Sequence, residues 1–218
     1  MSAHMIIVCA PSGSGKTTIL KSLFKVRPDL HFSVSHTTRP ARPNEQDGID
    51  YHFVSSAAFQ DMINRQDFIE YVHNYDHFYG TSRHPLEKAL NHGQTVVLDL
   101  ETEGVARIKD IYPAAKSIFI LPPSLEALKK RLYGRGDESS IQLKLRMAQV
   151  ANQFVQANLF DFIILNETQA KAQVQLSELI KALETTDEVK VEEMKRETQV
   201  HHERLKTLQR EALMIDQG

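Results

Sequence analysis

The stretch Ala10-Pro11-Ser12-Gly13-Ser14-Gly15-Lys16-Thr17 constrains this chain more than any other. Before it runs Met5-Ile6-Ile7-Val8-Cys9-Ala10, apolar and partly β-branched, the pattern of a strand buried on both faces. After it Ile19, Leu20, Leu23 and Phe24 fall at helical spacing. A loop that folds around a polyphosphate needs backbone N–H groups turned inward, and Gly13 and Gly15 permit dihedrals and close approach that a Cβ would block. Lys16 supplies a point charge. The hydroxyl of Thr17, in the first turn of a helix whose N-terminus attracts anions, is placed to ligate a magnesium ion carried by the nucleotide.

Strand, glycine loop and helix in that order are the context of a P-loop, although Ala10 stands where the general pattern has its first glycine. The bland alternative is a Gly/Ser turn in an unrelated protein. At 218 residues the chain can bury one good core, so one principal domain is expected. Its 26 Lys and Arg nearly balance 28 Asp and Glu, which argues against a nucleic-acid binder and for a small, specific anion. The single cysteine, Cys9, excludes an intramolecular disulfide and a cysteine-rich metal site, and reads as a core residue of the first strand. The six-residue apolar run lacks a basic flank, so it reads as neither signal peptide nor membrane span; cytoplasm is the expected compartment.

Along the chain, His31-Phe32-Ser33-Val34-Ser35 alternates as a short strand and leads into Thr37-Thr38-Arg39-Pro40-Ala41-Arg42-Pro43-Asn44-Glu45. Two arginines held apart by prolines lose less freedom when they clamp a phosphate; on these residues alone a solvated loop remains the competing reading. Tyr51-His52-Phe53-Val54 predicts a strand, and Ser55 a cap for a helix through Phe59, Met62 and Ile63. In Phe68-Ile69-Glu70-Tyr71-Val72 the carboxylate of Glu70 interrupts an apolar run, either facing solvent or held for a ligand. Phe78-Tyr79-Gly80-Thr81-Ser82-Arg83 reads as pocket lining or as ordinary turn residues.

Pro85 opens a helix ending near Gly93, and Thr95 to Leu100 is a second buried strand with Asp99 at its acidic end, a candidate site residue or a helix cap. A helix over 105–111, a strand over 117–121 and a Ser124-capped helix to Leu132 follow. Arg131, Gly134, Arg135 and Gly136 describe a hinged basic flap, with Arg146 on the next helix. Phe160 to Asn166 is the last strand and Ala170 to Leu183 an amphipathic helix; 187–218 reads as a charged helical tail, largely solvated or partner-binding, with a thin stripe of Val189, Met194, Leu205 and Leu208.

These motifs together resemble guanylate kinase, the nucleoside monophosphate kinase family: Ala-Pro-Ser-Gly-Ser-Gly-Lys from Ala10, Ser-Val-Ser-His-Thr-Thr-Arg from Ser33, Phe-Ile-Glu to Glu70, Tyr-Gly-Thr-Ser from Tyr79 and Gly-Arg-Gly from Gly134. The resemblance runs from about Met5 to Leu183 and implies an α/β fold: a P-loop three-layer α/β/α core with a central, mostly parallel sheet, a small mixed GMP-binding subdomain and a lid. It implies a domain over 5–186, with core 5–34 and 94–186, lid about 134–146 and GMP-binding subdomain about 35–93. The implied reaction is Mg²⁺-dependent transfer of a phosphoryl group from ATP to GMP, and to dGMP, in purine metabolism.

By the same resemblance Ser35, Arg39, Arg42, Tyr51 and Tyr79 hold the acceptor phosphate, while Glu70 accepts from the guanine N1 and N2 donors, Thr81 donates to O6 and Asp99 supports that edge. Ser12, Gly13, Ser14, Gly15, Lys16 and Thr17 wrap the ATP phosphates, Asn166 contacts its adenine, and Arg131, Arg135 and Arg146 close over the transferred group. The tail is a surface on which a second copy could pair. Two alternatives compete: a P-loop kinase of another small acceptor such as ribose 1,5-bisphosphate, disfavoured by Glu70 with Thr81, and a non-catalytic module of the same fold, disfavoured by the intact Gly15, Lys16 and Thr17.

Overall fold

The computed structural model describes residues 4–74, 76–133 and 140–216, with side chains outside 133–146 and 215–216. The chain folds as two units: Met1–Ile7 with Asp29–Ala115, and Val8–Pro28 with Lys116–Gly218. The division falls inside β1 (Met5–Cys9), every residue of which is buried. That full burial is why the run is apolar without alternation.

In the first unit β2 (His31–Ser33) lies parallel to β7 (Val96–Asp99), with Phe32 opposite Val97. A second, four-stranded sheet is built from β3 (His36–Thr37), β4 (His52–Phe53), β5 (Phe68–Asn74) and β6 (His77–Ser82) in the order β4-β3-β6-β5. The segment from Phe78 to Ser82, expected as pocket lining or a turn, is therefore a strand. Gly80 permits this by close approach: a Cβ there would meet Phe59 and Phe68 at 2.9 Å. Helices α2 (Ser56–Asn64), α3 (Arg83–Asn91) and α4 (Thr102–Ile111) belong to this unit. Ser55 caps α2, its hydroxyl accepting from the Ala58 N–H at 3.1 Å, as its residue type implies. Helix α3 starts two residues before Pro85, whose missing N–H costs nothing in a first turn, and α4 starts three residues before Val105.

The second unit holds α1 (Lys16–Val26), whose buried Ile19, Leu20 and Leu23 follow the helical spacing and which stops before Pro28. Parallel strands β8 (Lys116–Leu121) and β9 (Phe162–Leu165) pair Phe119 with Ile163. They are tied at their start, where the Ser117 N–H and hydroxyl both donate to Asp161 Oδ2 at 2.7 and 2.9 Å. Across the larger sheet the order is β2-β7-β1-β8-β9, a central sheet flanked by helices. Helix α5 (Leu125–Tyr133) is capped by Ser124; α6 (Ser140–Gln156) and α7 (Gln169–Glu184) follow, α7 capped by Thr168.

The tail is one helix, α8 (Glu188–Asp216). Val189, expected on the apolar stripe, is 82% exposed. The buried positions are instead Met194, Thr198, Leu205, Leu208 and Ala212, spaced by four, seven, three and four. This seam packs on α6, α7 and β9 of the same unit. Thr198 Oγ1 accepts the Ile163 N–H of edge strand β9 at 3.0 Å, Gln209 Nε2 donates to the Phe154 carbonyl at 2.6 Å, and Arg204 donates to the Pro123 carbonyl. Thr198 thus satisfies a donor that an uncovered edge would leave to water or to another chain.

The seam makes α8 part of the core, and this sets an expectation. Leu205→Ala should lower unfolding free energy by about 2 to 5 kcal/mol through the cavity it leaves. Val200→Ala, at a position 70% exposed, should change it by about 0.5 kcal/mol or less in the same urea titration.

Candidate functional site

Two constellations emerge, one in each unit. In the second unit the loop between β1 and α1 carries Gly13 at φ +84° and Gly15 at φ +90°, left-handed values that explain glycine at both. Gly15 is also the N-cap of α1, so Lys16 and Thr17 open that helix, with Thr17 exposed. The loop is held from behind. Asn166, which follows β9 and is fully buried, donates through Nδ2 to the Ser14 carbonyl at 2.6 Å, and Arg131 Nη1 adds weaker bonds to the Gly13 and Ser14 carbonyls at 3.4 and 3.3 Å. At this loop the buried Ser14 Oγ and Asn166 Oδ1 have no hydrogen-bond partner among the described residues. Ser12 lies half-buried on the same loop. Of the flap arginines, Arg131 sits on α5; Arg135 and the side chain of Arg146 lie outside the described residues.

In the first unit the pairing of β5 and β6 sets Glu70 opposite Thr81. Both are buried, and the Thr81 hydroxyl donates to Glu70 Oε1 at 2.6 Å. A Cβ on Gly104, in the first turn of α4, would lie 2.9 Å from Glu70 Oε2, so only glycine leaves room for the carboxylate. Burial pushes the Glu70 carboxyl above its ordinary value, opposed by the Thr81 hydrogen bond and by the charge of Arg107. Arg107 itself donates to the Tyr71 carbonyl and lies 5.7 Å from the Tyr71 ring centre. Asp99 ends β7.

The two arginines of the Arg-Pro loop are organised by one carboxylate. Arg39 Nη2 donates to Glu45 Oε1 at 2.8 Å, the Arg42 N–H donates to Glu45 Oε2 at 2.8 Å, and Arg42 Nη1 stands 3.7 Å from Oε1. Burial would raise the Glu45 carboxyl, but its bonds to Arg39 and Arg42 outweigh that and hold it below the usual range. The Arg39 side chain is 12% exposed and lies 5.4 Å from the Tyr51 ring centre, whose ring meets Tyr79 edge-on at 6.0 Å. The Arg42 side chain is 51% exposed. Ser35 is buried, its carbonyl accepting the His52 N–H at 2.9 Å. The His36 and His52 rings lie 4.5 Å apart and tilted by 30°; burial, then the neighbouring His52, lower His36 to about 4, which keeps it neutral. Arg39, Tyr51 and Tyr79 are thus drawn together, and Arg42 is tied to them only through Glu45, with the segment from Pro40 to Asn44 exposed.

The sequence pattern gives no sign of Glu45 as an organiser, nor of Gly104 and Arg107 beside Glu70. Glu45 stood in the quoted loop without a signal of its function, and Arg107 is one basic residue on an amphipathic helix. Among the described residues no cluster of three or more His, Cys, Asp or Glu could hold a metal ion, and no helix is long and apolar enough to cross a membrane.

A glycine-loop cradle for a polyphosphate, with a second basic and aromatic anion clamp on the same chain, is the equipment of a P-loop kinase acting on a small phosphorylated acceptor. Comparison with known proteins narrows the class. The family described as guanylate kinase matches residues 2–183, and the chain belongs to the guanylate kinase family. It is 40% identical over 179 residues to the guanylate kinase of Legionella pneumophila, covering 82% of this chain and 86% of that protein. With the guanylate kinase of Thiobacillus denitrificans it shares 44% over 163 residues, 75% of this chain and 78% of the other. The crystal structure of guanylate kinase from Anaplasma phagocytophilum matches with a TM-score of 0.70 at 27% identity, over 83% of this chain and 86% of that one. The family match stops at Leu183, so all of α8 lies beyond it.

Gly104 offers a test of the buried carboxylate. Gly104→Ala should destabilise the fold by about 1 to 3 kcal/mol, since neither backbone nor carboxylate can yield freely. In the background of Glu70→Ala, which removes the opposing group, the same change should cost less. A double-mutant cycle by urea unfolding reads that coupling.

Proposed function

We propose that this chain is an ATP:GMP phosphotransferase, moving the γ-phosphoryl group of ATP to GMP, and to dGMP, to give ADP and the diphosphate. The observation that carries the reading is the buried Glu70–Thr81 pair in the same unit as the Arg39, Arg42, Tyr51 and Tyr79 clamp. A carboxylate kept buried beside a hydroxyl suits guanine, whose N1–H and N2–H donate while O6 accepts; adenine would present an acceptor to Glu70. The Thr81 proton bonded to Glu70 in the free protein turns to O6 as the base arrives, and the guanine donors replace it on the carboxylate. Asp99 supports that edge.

Ser35, Arg39, Arg42, Tyr51 and Tyr79 take the GMP phosphate, with the 35–93 segment as the acceptor subdomain between core segments 5–34 and 94–186. Arg39 is prepared for this by the Glu45 ion pair, which fixes its fork while leaving N–H groups to donate. Backbone N–H groups from Ser12 to Thr17 wrap the ATP phosphates. Asn166 serves that site through the Ser14 carbonyl. Lys16 bridges toward the transferred group, and Arg131, Arg135 and Arg146, in or beside the 134–146 lid, neutralise its charge on closure. The exposed Thr17 hydroxyl, a hard oxygen ligand at the head of α1, would hold Mg²⁺ together with nucleotide oxygens and water. The bound ion would draw charge from the phosphate oxygens. No general base is needed, because the attacking phosphate oxygen is already anionic at neutral pH; catalysis is alignment, charge neutralisation and exclusion of water. Purine nucleotide metabolism in the cytoplasm is the setting this chemistry suits.

A coupled assay of ADP production with GMP, dGMP, AMP, UMP and ribose 1,5-bisphosphate tests the reading: GMP should be preferred, and indifference to it would overturn the assignment. Lys16→Ala should remove most turnover at unchanged thermal stability, measured by the same assay and a melt. Guanine recognition requires Glu70 ionised, and its carboxyl is shifted upward. Affinity for GMP is therefore present above that raised value and lost as pH falls through it, at a higher pH than an ordinary glutamate would set. Glu70→Gln should raise the KM for GMP about five- to a hundredfold near neutrality, the cost of about 1 to 3 kcal/mol for an unpaired N–H. The ratio of variant to wild-type KM should shrink on acidification, with the phosphate titration of GMP common to both proteins.

A further inference from the structure

Three side chains converge on Gly15. A Cβ built there would lie 3.0 Å from Asn166 Nδ2, 3.6 Å from Arg131 Nη1 and 3.8 Å from Gln169 Nε2. Asn166 and Arg131 spend these groups on loop carbonyls. Asn166 is also fully buried. Gln169 differs on both counts. It is exposed, it is the first residue of α7, and its carboxamide makes no hydrogen bond among the described residues.

We infer that Gln169 is a specificity-determining residue for the phosphoryl donor, its carboxamide pairing with the N6 and N7 edge of adenine; the inference rests on the ATP:GMP reading above. A primary amide carries an N–H donor and a carbonyl acceptor side by side. Adenine offers the complement, an N6–H donor beside the N7 acceptor, and the two pair in a bidentate manner. Guanine offers two acceptors on that edge, O6 and N7, so one would face the amide carbonyl. Position agrees with chemistry: Gln169 follows β9 by four residues, and ligands of open α/β sheets bind outside the carboxyl ends of the strands. Being neutral, the amide reads the base without repelling a triphosphate held at the loop beside it.

The test is equilibrium binding of Mg·ADP, Mg·7-deaza-ADP and Mg·tripolyphosphate to the wild type and to Gln169→Leu, with GMP turnover measured in parallel. The expected result is about tenfold weaker ADP binding in the variant, with tripolyphosphate binding unchanged. The 7-deaza analogue, lacking N7, should bind the wild type more weakly than ADP does and lose less than ADP on substitution. Equal loss of ADP and tripolyphosphate would overturn the inference by making Gln169 a phosphate ligand, and no loss of either would remove it from the site. Failure of the wild type to phosphorylate GMP would instead sink the phosphotransferase reading, an outcome separable from both.

Discussion

The bond from the Asn166 amide to the Ser14 carbonyl is the interaction on which the cradle depends. A phosphate loop must hold its carbonyls outward so that its N–H groups face the anion, a conformation that leaves those carbonyls short of partners. At 2.6 Å and fully buried, the Asn166 bond satisfies the Ser14 carbonyl and ties the loop after β1 to the residue that follows β9. Arg131 adds its guanidinium to the same oxygen and to the Gly13 carbonyl. The left-handed values at Gly13 and Gly15 can then persist without a ligand, because the surroundings over-determine them. A loop shaped beforehand spends less of the nucleotide's binding free energy on ordering.

The first unit meets a different constraint, that of keeping charge out of water before substrate arrives. Glu70 is buried with one hydroxyl as its strong partner, and its raised pKa means that ionisation at neutral pH costs stability relative to the unfolded chain. The cost is relieved as pH falls through the raised value, when the carboxyl takes up a proton. Arg39 and Glu45 solve the reverse problem by pairing, so the guanidinium stays charged and oriented while largely withdrawn from solvent. The burial of Glu70 is therefore only partly offset, whereas Arg39 is held by a carboxylate of opposite charge.

What the residue pattern made legible divides along the same lines. Strand, loop and helix around Lys16 could be read because glycine, lysine and β-branched residues each have a local reason for their place, and α1, β7, β8 and β9 follow their apolar runs to within a residue or two. The strand at Tyr79 could not be read that way. Its Gly80 looks like a turn residue until Phe59 and Phe68 are seen to press on it, and that contact spans distant parts of the chain. The Arg-Pro loop is ambiguous for the same reason, since Tyr51, whose ring meets Arg39, and Tyr79, whose ring meets that of Tyr51, lie beyond it in the chain and reach it only through the pairing of β3 with β4 and β6. Glu70 shows the limit from the other side: a lone carboxylate in an apolar run signals a purpose, yet the space that admits it belongs to Gly104 on another element.

Helix α8 carries the argument furthest from local pattern. Its seam is polar at Thr198 and interrupted by half-buried His201, so hydropathy alone reads it as solvated. Burial forces a stricter accounting, and there Thr198 matters because its hydroxyl meets an edge-strand N–H that an apolar residue would leave unpaired. With Gln209 on the Phe154 carbonyl and Arg204 on that of Pro123, the helix answers three backbone groups of the nucleotide-loop unit with side chains. The family match ends within α7. A segment added beyond it and docked by such directional bonds restrains β9 along its length, and β9 is the strand that delivers Asn166 to the Ser14 carbonyl. The rigidity of the cradle is in this way extended outward, from a loop carbonyl to a buried amide, and from its strand to a helix that the glycine motif itself does not require.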